Sequence, residues 1–285
     1  MRILQRAIVL GAIICMCCGV AEAGETIKDK LKRALANRVD TFGGGGSEDG
    51  AASGYGGMMI GLAGSVREAG PVLRLYTGNA QYAYRAEKQY ELRSGVGGDA
   101  FDVDFAAQAF SAEAMLGYQF GWRGAWVKLL AGASYERLDV TISALSLADK
   151  SAPPADPDLY VIRDGDPSND AAGERWGAKL RAEAWAPLSD RVWVSGDAAM
   201  ASGSRSYSAF SRLGVRAPQL WAKAPQVTFG PEAAVYGASD YGSARAGGFA
   251  SFARPSYEFT VSGGVSSSFD GVRAPYASFG IYRKF

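Results

Sequence analysis

The sequence predicts an all-β protein. The expected form is an antiparallel up-and-down transmembrane β-barrel of about twelve strands, within a range of about ten to fourteen, following a cleaved signal peptide. Three observations carry this. Long segments alternate apolar and polar side chains with a period of two. Past the amino terminus, no apolar run reaches the roughly eighteen residues that a membrane helix needs. The chain also closes on an alternating strand with an aromatic end, YASFGIYRKF. There Ala277, Phe279, Ile281 and Phe285 take one face, and Tyr276, Ser278, Gly280 and Lys284 the other. Tyr276, Phe279, Ile281 and Phe285 are the expected signal to the barrel-assembly machinery.

Composition narrows the function. The 285 residues carry a net charge of +1, which gives a nucleic acid nothing to bind. There is no histidine. That excludes Ser-His-Asp and Cys-His triads and His-ligated zinc, and it argues against an enzyme. No cofactor or metal is expected.

Residues 1–23 read as a secretory signal. Arg2 and Arg6 precede an apolar stretch from Ala7 to Val20, and Ala21-Glu22-Ala23 forms the cleavage site. All three cysteines (Cys15, Cys17, Cys18) fall inside it, so the exported chain is expected to lack disulfides. Residues 24–38 place Ile27, Leu31 and Leu35 at helical spacing. They are expected to form a periplasmic leader, with a small plug as the functional alternative.

The barrel is expected over 39–285. A first strand at Val39–Gly43 leads into a glycine-rich loop at 44–53. Strands follow near 54–65, 71–87, 104–120, 124–141, 174–186, 191–202, 204–216, 223–238, 241–253, 257–268 and 274–285. Turn residues separate them, as in Trp122-Arg123-Gly124 and Arg254-Pro255-Ser256. In Trp176–Ala186 the residues Trp176, Ala178, Leu180, Ala182 and Ala184 oppose Lys179, Arg181 and Glu183. Smooth apolar faces opposed to small or charged ones fit lipid outside and a polar lumen inside. An aromatic girdle is expected from Tyr118, Phe120, Trp126, Trp185, Trp193 and Trp221. Short connectors would be periplasmic, and longer ones near 44–53, 88–103 and 143–173 would face outward. Because the carboxyl terminus ends periplasmic, parity gives twelve strands, and a lipid-exposed edge requires closure.

The same register sends Arg74, Glu113, Lys128, Glu136, Lys179, Arg181, Glu183, Asp197, Arg212, Glu232, Arg245 and Glu258 inward. Opposed charges there either cement a narrow lumen or line a path for an uncharged polar polymer. Tyr76, Tyr82, Tyr84, Trp193 and Tyr236 offer rings to the apolar C–H face of a sugar. Glu183 and Glu232 form a carboxylate pair of glycosidase type, without a spacing to support it. In the acidic loop, Asp164, Asp166 and Asn169 resemble part of a calcium loop. The glycine and closing glutamate are missing, so a solvated loop is expected.

Several segments, in order, resemble the BcsS-type cellulose biosynthesis proteins of Gram-negative bacteria. They are Gly61-Leu62-Ala63-Gly64-Ser65, Gly70-Pro71, Tyr82-Ala83-Tyr84-Arg85, Gly117-Tyr118-Gln119-Phe120, Asp166-Pro167-Ser168-Asn169, Trp176-Gly177, Gly230-Pro231-Glu232, Asp240-Tyr241 and the closing strand. Ala63 stands where that family leads one to expect proline. The resemblance implies a non-enzymatic accessory or conduit for cellulose or a related glucan at the outer membrane. Its implied partners are outer-membrane lipid, glucan chains and other cellulose-synthesis components. A small-solute porin and an adhesive barrel acting through its loops remain the alternatives.

Overall fold

The computed structural model describes residues 38–48, 50–92, 99–147, 160–162, 172–219, 224–238, 241–268 and 271–285. Every regular element among them is a strand. In chain order these are β1 (Val39–Glu48), β2 (Ala51–Gly61), β3 (Gly70–Leu92), β4 (Asp99–Trp122), β5 (Ala125–Leu147), β6 (Tyr160–Ile162) and β7 (Gly173–Pro187). They continue with β8 (Val192–Ala201), β9 (Ser206–Arg216), β10 (Gln226–Ala238), β11 (Tyr241–Arg254), β12 (Tyr257–Ser268) and β13 (Arg273–Lys284). The expected signal peptide, the leader at 24–37 and the calcium-like segment at 164–169 lie outside the described residues.

Each strand pairs antiparallel with its neighbours, and β1 bonds both β2 and β13, so twelve strands close on themselves. The small β6 stands outside the ring and pairs only with the tip of β3, Tyr90 opposite Ile162. Closure follows from the alternation. With an apolar outer face, an open edge would leave a row of backbone groups unsatisfied in hydrocarbon.

Local chemistry sets the hairpins. Arg123 and Gly124 both have positive φ, 49° and 82°, between the paired Trp122 and Ala125. That is the two-residue turn whose twist matches the flanking strands. Gly50, at φ 75°, turns β1 into β2 immediately after Glu48 pairs with Ala51. The glycine-rich stretch expected as a loop at 44–53 is therefore mostly strand. Gly43 to Gly46 oppose β13 on one side and β2 on the other. Glycine's poor strand propensity is overridden by two full ladders of hydrogen bonds and by rings packed on the bare backbone.

Of the outward loops expected at 88–103 and 143–173, the ends 88–92, 99–103 and 143–147 are strand, and residues 93–98, 148–159 and 163–171 lie outside the described residues. β3 runs to Leu92, β4 starts at Asp99 and β5 runs to Leu147. β2 leaves β3 at Gln81, and β7 leaves β5 at Leu138. Beyond those points β3, β4 and β5 continue as a three-stranded flap about ten residues tall, or roughly 30 Å at 3.3 Å per residue. At the other end β2 stops at Gly61, four residues short of the expected boundary, and residues 62–69 form a folded turn.

The outer wall carries the apolar side chains. Leu116, Val127, Leu129, Leu180, Val261, Phe279 and Ile281 all face outward and are exposed. Tyr118, Phe120 and Trp122 ring the carboxyl-terminal end, and Phe110, Tyr135 and Trp176 form a contacting cluster toward the far end. From Phe110 to Trp122 is twelve residues of one strand. At a tilt of about 40° that spans roughly 30 Å, the thickness of a hydrocarbon core. Three expected girdle residues do not belong to it. Trp126, Trp185 and Trp193 point into the lumen, because each shares the face of an inward charge two residues away on the same or the neighbouring strand. Trp221 lies outside the described residues.

Candidate functional site

The lumen is where polar chemistry collects, and the register explains how. Pairing partners share a face, so one row of partners across the sheet puts Lys128, Glu183 and Asp197 on the same side. Another row aligns Arg212, Glu232, Gly247, Gly264 and Tyr276.

The first network joins β3, β4, β5, β7 and β8. The Arg74 guanidinium donates to Glu113 at 2.8 Å and lies 3.6 Å from Glu183. Lys179 pairs with the other oxygen of Glu113. Glu183 also receives Arg181 at 2.9 Å and faces Lys128 at 3.7 Å, and Arg181 reaches Asp197 at 2.7 Å. The second network joins β9, β10, β12 and β13. Glu232 accepts from Arg212 Nε, from Ser262 Oγ and from Tyr276 Oη, each at 2.9 Å. Nearer the far end, Glu48 accepts from the Tyr236 hydroxyl at 2.6 Å and pairs with Arg245.

These contacts brace the barrel across its bore. Glu183 is three strands from Arg74, Tyr276 three from Glu232, and Glu48 four from Tyr236. At about 4.8 Å per strand, the path along the wall is roughly 14–19 Å, beyond the reach of two side chains. The groups meet only by spanning a chord of the lumen. Trp193 and Phe249, likewise three strands apart, close to 5.8 Å between centroids.

The carboxyl-terminal mouth is filled differently. The turn at 62–69 folds inward and buries Val66 against Met59, Val72, Met115 and Leu130. Arg67 reaches Asp40 at 2.9 Å, and Asp40 also accepts from the Tyr282 hydroxyl. Gln119 donates to the Glu68 carbonyl oxygen at 3.1 Å, which ties the turn to β4.

All of Arg74, Glu113, Lys128, Lys179, Arg181, Glu183, Trp193, Asp197, Glu232, Tyr236 and Arg245 therefore sit on the lumen wall, and Tyr82 shares that face of β3. Tyr84 lies on β3 opposite Phe105, and its side chain is not among those described. Tyr276 points inward onto Glu232, whereas Phe279 and Ile281 point outward. The sequence reading missed Asp40, Phe42, Glu48 and Tyr55, which complete the interior. The signal was present. Carrying the period of two from Val39 through the glycines puts Asp40, Phe42 and Glu48 on one face.

Glu183 and Glu232 belong to separate networks, and each is saturated by cations or hydroxyls. Neither is held as a free acid beside an open base. Among the described residues there is no cluster of carboxylates suited to a metal ion.

Comparison with known proteins gives a family. The sequence matches the model of the family described as cellulose biosynthesis protein BcsS over residues 41–141 and 161–285. No curated protein matches significantly. Among solved structures, the KdgM porin in complex with disordered oligogalacturonate is 10% identical, with 86% of this chain and 99% of that chain covered and a TM-score of 0.39. The translocator domain of the autotransporter NalP from Neisseria meningitidis is 11% identical over 91% and 95%, at 0.44. OprB from Pseudomonas putida, in its low-pH structure, is 8% identical over 92% and 97%, at 0.35.

Proposed function

The chain belongs to the BcsS family of cellulose biosynthesis proteins, and from that membership we propose that it is a non-catalytic outer-membrane barrel whose lumen handles an uncharged glucan chain. The observation that carries the reading is the charge balance of the bore. Seven cations (Arg67, Arg74, Lys128, Lys179, Arg181, Arg212, Arg245) and six carboxylates (Asp40, Glu48, Glu113, Glu183, Asp197, Glu232) meet there in ion pairs, which nearly cancels their charge. A bore balanced in this way exerts little net field on a passing ion. It suits a polymer that carries hydroxyls and no charge, and the rings between the pairs supply apolar contact.

A general small-solute porin fits less well, because chords across the lumen narrow it. A second reading gives the role to the flap of β3, β4 and β5, whose height above the barrel is the feature that favours it. Catalysis has no support in the residues: histidine is absent and the lumen carboxylates are engaged.

The test is single-channel conductance of the refolded protein in a planar bilayer, with and without cellohexaose. A steady current interrupted by cellohexaose supports the lumen reading. A barrel that passes no ions and shows no response in any variant loosened at the braces would leave the flap as the working surface.

A further inference from the structure

Three lumen rings on β1, β2 and β3 are laid against the wall in an unusual way. Tyr55 lies over Gly44, directly opposite it in the β1–β2 register. A methyl group on Gly44 would come within 2.3 Å of the Phe279 carbonyl oxygen, 2.7 Å of the Tyr55 hydroxyl and 2.9 Å of its Cζ. Phe42 lies in the same way over its partner Gly57, where a methyl would meet its Cζ at 2.5 Å. The hydroxyl of Tyr76 sits 2.8 Å from where a methyl on Gly78 would be. Each glycine removes the atom that would lift the ring and point it edge-on into the bore. One ring face therefore rests on backbone, and that of Tyr55 leaves the other open to the lumen.

The rings also adjoin. Tyr76 stands 6.1 Å from Tyr55 and 6.5 Å from Phe42, with planes within 21° and 25°. At that spacing and tilt they tile a nearly flat floor. The Arg74 guanidinium covers the Phe42 and Tyr76 end at about 5 Å from each centroid, held there by Glu113 and Glu183. Tyr55 is the open tile, 40% exposed to the bore.

We propose that this floor is a binding subsite for a flat, neutral β-linked glucan, which stacks a sugar ring on Tyr55 and runs on past the Arg74 guanidinium that covers Tyr76. A pyranose with all its hydroxyls equatorial has two apolar C–H faces and a polar rim. A ribbon of such rings lies on a flat aromatic surface and keeps its hydroxyls free for water and for the charged groups beside it. A curved α-linked chain cannot keep successive rings on one plane. The inference rests on the lumen reading above and adds where, and by which face, the chain is held.

The experiment measures equilibrium binding of cellohexaose and maltohexaose to the refolded barrel in detergent by calorimetry. The variants are Tyr55→Ala, Tyr55→Phe and, on the lipid face, Tyr207→Ala. The expected result is binding of cellohexaose in preference to maltohexaose. Tyr55→Ala should weaken it about tenfold, and Tyr55→Phe and Tyr207→Ala should leave it nearly intact. Unchanged affinity in Tyr55→Ala, equal affinity for maltohexaose, or no binding to the wild type overturns the subsite. The two proposals fail separately. If cellohexaose still interrupts current through Tyr55→Ala, the lumen reading survives and the floor does not. Binding at Tyr55 in a barrel that carries no current keeps the floor and removes the conduit.

Discussion

Replacing Glu232 with alanine is the sharpest perturbation of the braced lumen. One carboxylate there takes hydrogen bonds from Arg212, Ser262 and Tyr276, on three different strands, each at 2.9 Å. Its side chain is only 4% exposed and that of Arg212 24%. Removing one partner of a buried ion pair costs about 3–5 kcal/mol. Arg212 retains some contact with lumen water and two aromatic faces, Phe210 and Phe249, so the lower end applies. The expected loss is about 3 kcal/mol, or roughly a hundredfold in the unfolding equilibrium. Glu232→Gln keeps an acceptor of the same shape and should lose about 1–2 kcal/mol. The assay is reversible unfolding in phospholipid vesicles followed by tryptophan fluorescence. If both variants fall within about 0.5 kcal/mol of wild type, water solvates these charges and the brace across β10, β12 and β13 carries no stability.

Other outcomes follow from the same geometry. Leu116→Arg puts a charge on the lipid-facing side of β4, midway between Phe110 and Trp122, where Leu116 is 58% exposed, and should cost about 2–4 kcal/mol in bilayers. In the same assay the lumen-facing Ala199→Arg should cost far less. Val66→Asp should release the inward turn at 62–69 from Met59, Val72, Met115 and Leu130 and raise single-channel conductance; unchanged current would mean that the turn does not obstruct the mouth. Gly230→Ala should lower the folded fraction on semi-native gels, because a Cβ there overlaps the Leu213 carbonyl oxygen.

Much of this architecture was legible in the residues, for a physical reason. A barrel wall with lipid on one side and water on the other imposes a period of two on every strand. Trp176–Ala186 and Ala125–Glu136 therefore declared both their structure and their faces. Parity then placed twelve strands, although the first of them was only half visible. The errors fall where the period carries no side-chain signal. Gly43 to Gly46 have no side chains to alternate, so Asp40, Phe42 and Glu48 went unread, although the ladder to β13 makes that stretch regular. The upper part of the flap reads as loop because β3, β4 and β5 continue past the bilayer, where neither face needs to be apolar. Residue type alone puts Trp126 and Trp185 at the lipid interface, against their own parity, and leaves Trp193 counted both there and in the lumen. The inward charges were legible from the register. What each one touches was not, because Arg74 with Glu183 and Tyr236 with Glu48 are chords of a closed ring and have no trace in sequence spacing.

The most direct test of the central claim uses the absence of cysteine beyond Cys18. Ala199, on the lumen face of β8, is replaced by cysteine in cells that make cellulose with this chain as their only copy, and the thiol is blocked with a bulky polar maleimide. Ala198→Cys, on the lipid face, is the control. The account predicts that complete labelling at 199 removes most of the exported cellulose, measured as acid-insoluble glucose, while the same treatment of the control does not. Full cellulose output with the lumen thiol quantitatively blocked would contradict it.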